Sequence, residues 1–297
     1  MIWVKADRRR WLFQMLPVLI WSAFAVMPAS TSASTMKILM PAYCYPTIGT
    51  FWADLEAASS SVELAVIVNP NSGPGASVDP NYVAAVNGIH AAGGRVYGYV
   101  ATNYGARNQT TVKGEVDRYE DFYSIDGIFF DEMSTSTSKV SYYADLYGYV
   151  KGKSLDYEVI GNPGTGTLEA YLSSPTADVL VTFEDTARAY ASYLPDAWTA
   201  SYDADRLAHI IHTAEGSELS SLLDAVAQNN ASWVYVTDDV MGNPYDVLPT
   251  YWDQEVAAVA AHNVPEPGMH TLALVATVIV IGSCWRVGVR PLSGRRA

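Results

Sequence analysis

Ser124-Ile125-Asp126-Gly127-Ile128-Phe129-Phe130-Asp131-Glu132 places an apolar run, Gly127 to Phe130, directly before two adjacent carboxylates. A short β-branched and aromatic run bounded by turn formers reads as a buried strand. Acids at the C-terminal tip of such a strand stand where a barrel or open α/β enzyme assembles its site. A solvated acidic turn after a core strand would look the same in isolation, so the rest of the chain has to decide. Apolar runs recur near 37–43, 64–68, 95–101, 125–131, 157–161, 178–183, 207–212 and 232–237. Helical patterns lie between them. Tyr82 to His90 follows the start signal Asp79-Pro80 and stops at Gly93-Gly94, and Val140 to Val150, Leu219 to Ala227 and Val247 to Ala260 behave likewise. Strands alternating with helices imply parallel βαβ units. Eight of them between residues 35 and 263 predict an α/β fold, a (β/α)8 TIM barrel, with a doubly wound sheet as the alternative.

Polar or aromatic groups follow every predicted strand: Tyr43-Cys44-Tyr45-Pro46, Asn69-Pro70-Asn71, Thr102-Asn103-Tyr104, Asp131-Glu132, Asn162-Pro163, Glu184-Asp185, His212 and Thr237-Asp238-Asp239. Turn chemistry alone accounts for the Asn-Pro pairs. It accounts less well for acids directly beyond aromatic core residues, as in Phe130-Asp131 and Phe183-Glu184, where partial desolvation raises a carboxyl pKa. His209 and His212 would face opposite sides of their strand, so they do not form a metal pair.

The 35–263 segment carries ten Lys/Arg against 29 Asp/Glu, a formal charge near −19. Such a surface repels nucleic acid. Cys44 is its only cysteine, which leaves no disulfide within the domain. No His/Cys/Asp cluster has metal-site spacing. Asn71-Ser72-Gly73-Pro74-Gly75 lacks the lysine of a phosphate loop, so neither metal nor cofactor is expected.

Both ends read as targeting segments. Residues 1–34 combine Lys5 and Arg8 to Arg10, an apolar stretch from Trp11 to Ala29 and a small-residue exit, the parts of a secretory signal peptide; a retained N-terminal anchor is the alternative. At 264–297, Pro265-Glu266-Pro267 precedes an apolar stretch from Met269 to Trp285 and arginines at 286, 290, 295 and 296. An apolar span closed by arginines is a transmembrane helix with its tail in the cytoplasm. The order of parts resembles the PEP-CTERM sorting signal of Gram-negative bacteria. That resemblance implies a processing enzyme of the inner membrane as partner, and a destination in the envelope or extracellular matrix.

The core resembles the spherulin-4 (spherulation-specific family 4) proteins. Pro41-Ala42-Tyr43-Cys44-Tyr45-Pro46, Val68-Asn69-Pro70-Asn71-Ser72-Gly73-Pro74-Gly75, Gly98-Tyr99-Val100, Asp126 to Glu132, Asn162-Pro163-Gly164-Thr165 and Thr182-Phe183-Glu184 match that family's blocks in order over roughly 37–260. The family is similar to TIM-barrel glycoside hydrolases. Its fungal members are understood to be endo-acting on a partly deacetylated galactosaminogalactan of biofilms. The resemblance implies a polysaccharide substrate and places the essential acids on Asp131, Glu132 and Glu184. By analogy with α-glycosidase barrels, Asp131 is expected as nucleophile and Glu184 as acid/base of a retaining reaction, with Glu132 tuning them. An exchange of roles between Asp131 and Glu132 stays open. Tyr43, Tyr45, Tyr104, Tyr251 and Trp252 are candidates for stacking on sugar rings, and Asn69, Asn162, His212 and Asp238 for binding hydroxyls. A non-catalytic carbohydrate-binding matrix or coat protein would keep the same barrel.

Overall fold

The computed structural model describes residues 35–263. The predicted signal peptide, sorting signal and transmembrane helix lie outside the described residues. Among the described residues, no helix is long and apolar enough to cross a membrane.

Eight parallel strands close into a barrel in sequence order: β1 Lys37–Ala42, β2 Leu64–Val68, β3 Arg95–Ala101, β4 Gly127–Asp131, β5 Glu158–Gly161, β6 Val179–Thr186, β7 Leu207–His212 and β8 Trp233–Val236. β1 closes the ring against β8, with Lys37 opposite Trp233 and Ile38 opposite Val234. The helices are α1 Phe51–Ser59, α2 Pro80–Ala91, α3 Gln109–Phe122, α4 Val140–Lys153, the single turns α5 Ala170–Ser173 and α6 Ala187–Tyr190, then α7 Leu219–Gln228 and α8 Trp252–His262. The (β/α)8 architecture expected from the alternation is therefore the one observed. Strands buried on both faces need continuous apolar runs, and Leu64 to Val68 is buried throughout. Asp79 caps α2 by accepting from the Asn81 N–H at 2.9 Å, with Pro80 in the first turn, where its missing N–H costs nothing.

Two boundaries differ from the sequence expectation. β6 runs on to Thr186 because the β6–β7 register shifts between Val181 and Phe183, so that Phe183 pairs with His209 and Glu184 with Ile210. The bulge adds a residue and turns the strand's end. α8 begins at Trp252, not Val247. The backbone ahead of Pro249 is biased away from helical angles, and Asp238 accepts from the Thr250 N–H and hydroxyl, fixing that segment as a loop.

Side-chain direction around the site follows from a glycine. A Cβ on Gly98 would lie 2.6 Å from the Tyr119 ring of α3, so Gly98 faces outward and lets α3 dock. Its neighbours Tyr97 and Tyr99 then face the barrel interior. Register pairs Tyr97 with Gly127 and Tyr99 with Phe129, which puts Gly127, Phe129 and Asp131 on that same inner face. The Phe129 ring stacks on Tyr99 with centroids 6.3 Å apart.

Candidate active site

Asp131 is the last inward position of β4, and Glu132 breaks the strand. Its φ of +51° is a left-handed conformation that L residues adopt at a cost. The turn sends its side chain toward the β3–α3 loop, where Glu132 Oε2 accepts the Asn103 N–H at 3.0 Å and its carbonyl accepts the Tyr104 N–H at 2.7 Å. Asn103 and Tyr104 are themselves left-handed, and Tyr104 is 60% exposed on the rim. Glu132 thus braces a strained rim loop, while Asp131 points into the barrel.

Asp131 Oδ2 accepts the Tyr99 hydroxyl at 2.8 Å and Oδ1 accepts the Asn162 amide at 2.9 Å. The same Asn162 Nδ2 donates to Glu184 Oε2 at 2.7 Å. Asn162 directly follows β5 and is almost fully buried. Its Oδ1 is occupied by the Gly164 N–H at 2.8 Å, at a left-handed glycine, which leaves the NH2 group facing the carboxyls. Two oxygens sharing one amide nitrogen at normal bond lengths lie about 5 Å apart, the spacing of a retaining pair and well short of the roughly 6.5–9.5 Å of an inverting one. Glu184 Oε1 accepts a short hydrogen bond from the Tyr245 hydroxyl, and its backbone N–H donates to Gly164 O at 3.0 Å.

Burial pushes the Asp131 carboxyl up to about 6, and the neighbouring Glu184 charge adds to the rise, against the lowering effect of the Tyr99, Asn162 and backbone donors. Tyr43, Tyr99 and Tyr245 close a ring of aromatics around the pair. Tyr43 packs edge-on against both others at 5.6 Å, and its N–H bonds to Tyr245 O. Burial first, then the carboxylates, raises all three phenols far above their usual range, so they stay protonated donors. Glu184, Tyr43, Tyr245, His212 and Met241 line an open cavity of about 530 Å³.

Of the residues named from the sequence, Tyr43, Asp131, Asn162, Glu184 and His212 are brought together. Tyr45 lies on the rim, bonded to Asp79 and Asn81. Four others are engaged elsewhere. Asn69 accepts the Gly73 N–H within its own turn, and Asp238 holds Thr250. Tyr251, 5% exposed, donates to Ala214 O, and Trp252, 6% exposed, opens α8. His209 faces outward between Tyr190 and Thr182, and burial lowers its pKa to about 3. Among the described residues, no group of three or more His, Cys, Asp or Glu is placed to hold a metal ion. Tyr99 and Tyr245 join the site beyond the residues named from the sequence. Tyr99 carries a signal, since its alternation about Gly98 fixes which way it points; Tyr245 sits in an irregular loop and carries none.

A model of the spherulation-specific family 4 matches residues 37–259, nearly the whole barrel. The chain belongs to that family. Spherulin-4 of Physarum polycephalum is 37% identical over 246 residues, 79% of this chain and 73% of that protein. The crystal structure of Aspergillus clavatus Sph3 in complex with GalNAc is 28% identical and covers 76% of this chain and 98% of its own, with a TM-score of 0.67. The match spans the family's barrel, so every group of the Asp131–Asn162–Glu184 arrangement falls within it.

Proposed function

We propose that the protein is an exported glycoside hydrolase that cleaves an amino-sugar-containing, galactosaminogalactan-like matrix polysaccharide by an endo-acting, retaining reaction. The observation that carries this reading is the single Asn162 amide holding Asp131 and Glu184 side by side at the barrel mouth. Family membership and the likeness to a protein crystallised with GalNAc support the substrate class.

Asp131 is held as an acceptor, with a donor on each oxygen, and acts as nucleophile at the anomeric carbon. Glu184 faces the open cavity, protonates the leaving oxygen and then takes a proton from the water that resolves the glycosyl-enzyme. Glu132 acts indirectly, through the loop that presents Tyr104. The test is to incubate residues 35–263 with a panel of bacterial and fungal amino-sugar polymers and to look for released oligosaccharides by mass spectrometry. Binding without release across the panel would leave the carbohydrate-binding alternative.

The raised Asp131 pKa fixes a pH limb. A nucleophile must be ionised, so kcat/KM is expected to fall about tenfold per unit below pH 6. A limb of that midpoint falling on the alkaline side would make Asp131 the proton donor and reverse the roles.

Residues 1–34 and 264–297 complete the proposal as signal peptide and sorting signal. Intact mass of the protein from its native host reads out both cuts. A terminus near Pro267 supports sorting, and one at Ala297 refutes it.

A further inference from the structure

The two carboxyls differ in a way that the shared amide does not explain. Each has one phenol to itself. Tyr99 is built into β3, three residues before the start of the loop that Glu132 braces, and donates only to Asp131. Tyr245 comes from the β8–α8 connection and donates only to Glu184. Its ring is wedged against Tyr43 and against Tyr235 of β8, and its carbonyl is tied to the Tyr43 N–H, so the loop has little freedom to withdraw it. Tyr43 belongs to the same cluster, but its hydroxyl makes no hydrogen bond to either carboxyl.

We propose that Tyr99 and Tyr245 are positioning residues for the two carboxyls separately, Tyr99 favouring the charged form of Asp131 and Tyr245 holding the Glu184 carboxyl toward the cavity. This deepens the hydrolase reading and rests on it for its purpose. A phenol that donates to a carboxylate stabilises the charged form. Two carboxyls about 5 Å apart otherwise compete symmetrically for one proton, and each phenol then biases where it resides. The other titratable groups facing the pair are few. Asp131 meets Tyr43 from the end of β1, Glu184 from β6 and Glu132 beside it. Glu184 meets Tyr43 and Asp131 and shares its cavity with Asp185 and His212. Among the described residues, no lysine or arginine lines that cavity, so the phenols are the adjustable donors.

The test needs no substrate. Carboxyl carbons of 13C-labelled protein are titrated by NMR and assigned through the D131N and E184Q variants. Tyr99→Phe is expected to raise the Asp131 midpoint from near 6 by about one pH unit. Tyr245→Phe removes a donor from Glu184 and none from Asp131, so it should not raise the Asp131 midpoint. Tyr43→Phe should not raise it either. Incorporating 3-fluorotyrosine at 99 keeps the ring and the fold and makes the phenol a stronger donor, so the Asp131 midpoint should move down. Equal upward shifts of Asp131 in the Tyr99 and Tyr245 phenylalanine variants, or an unmoved Asp131 midpoint with both changes at 99, would overturn the proposal. Absence of oligosaccharide release in the polymer panel would instead count against the hydrolase reading and leave this titration standing.

Discussion

Asp131→Asn and Glu184→Gln are each expected to give a folded barrel that has lost about 10³-fold or more of its turnover. Each amide keeps one oxygen to accept from Asn162, while its NH2 donates to the hydroxyl of Tyr99 at 131 or of Tyr245 at 184, which turns to accept. What disappears is the ability to attack or to cycle a proton. An aryl glycoside whose leaving group needs no protonation separates the two roles. It should restore the first step in E184Q and not in D131N. The Asp131 variant should also be more stable at neutral pH, by about 1–3 kcal/mol, since an amide removes a carboxylate held at a raised pKa by burial and by Glu184. Activity lost together with stability gained is the mark of a site built for chemistry. Unchanged hydrolysis in both variants would remove the catalytic assignment.

The barrel was legible because each of its strands is a buried parallel strand, and such strands write themselves as continuous apolar runs; Leu64 to Val68 is the plainest. Asp131 and Glu184 were legible for the related reason that a carboxyl next to Phe130 or Phe183 has no business in a core. Which way each points was not. Strand alternation forbids Asp131 and Glu132 from sharing a face; the β3–β4 register puts Asp131 in the interior, and the left-handed turn at Glu132 sends that side chain to the rim. For Glu184 the deciding event is the bulge after Val181, which no pattern in Val179 to Thr186 announces. Asn162 was visible as a polar residue at a strand end, but its bridging depends on a turn that occupies its oxygen with the Gly164 N–H. Tyr251 and Trp252 looked like sugar platforms because composition cannot distinguish a rim aromatic from one that roots a helix. In the fold they anchor the start of α8, and Tyr245, a few residues earlier, reaches the pair instead.

The helix rooted there carries the second large effect. Glu255 of α8 is fully buried, accepts the Val236 N–H of β8 at 2.8 Å through Oε1, and has no partner for Oε2 among the described residues. Burial pushes its pKa up from 4.5 to about 8, with the Val236 donor opposing the rise. The unfolded chain therefore gives up this proton well before the folded one. Its contribution to stability is complete below pH 4.5, and stability is lost as pH climbs from there toward 8. A difference of this size corresponds to roughly 4–5 kcal/mol across the window. Glu255→Gln keeps the Val236 bond and cannot ionise, so urea unfolding of the variant should show a much flatter pH profile than the parent and a clear gain near pH 8. Equal slopes in the two proteins would mean that Glu255 is ionised in the folded state at neutral pH and finds compensation elsewhere. Because α8 follows the loop that delivers Tyr245 to Glu184, loosening of that helix at high pH should also cost the alkaline side of any activity profile, and E255Q should recover it.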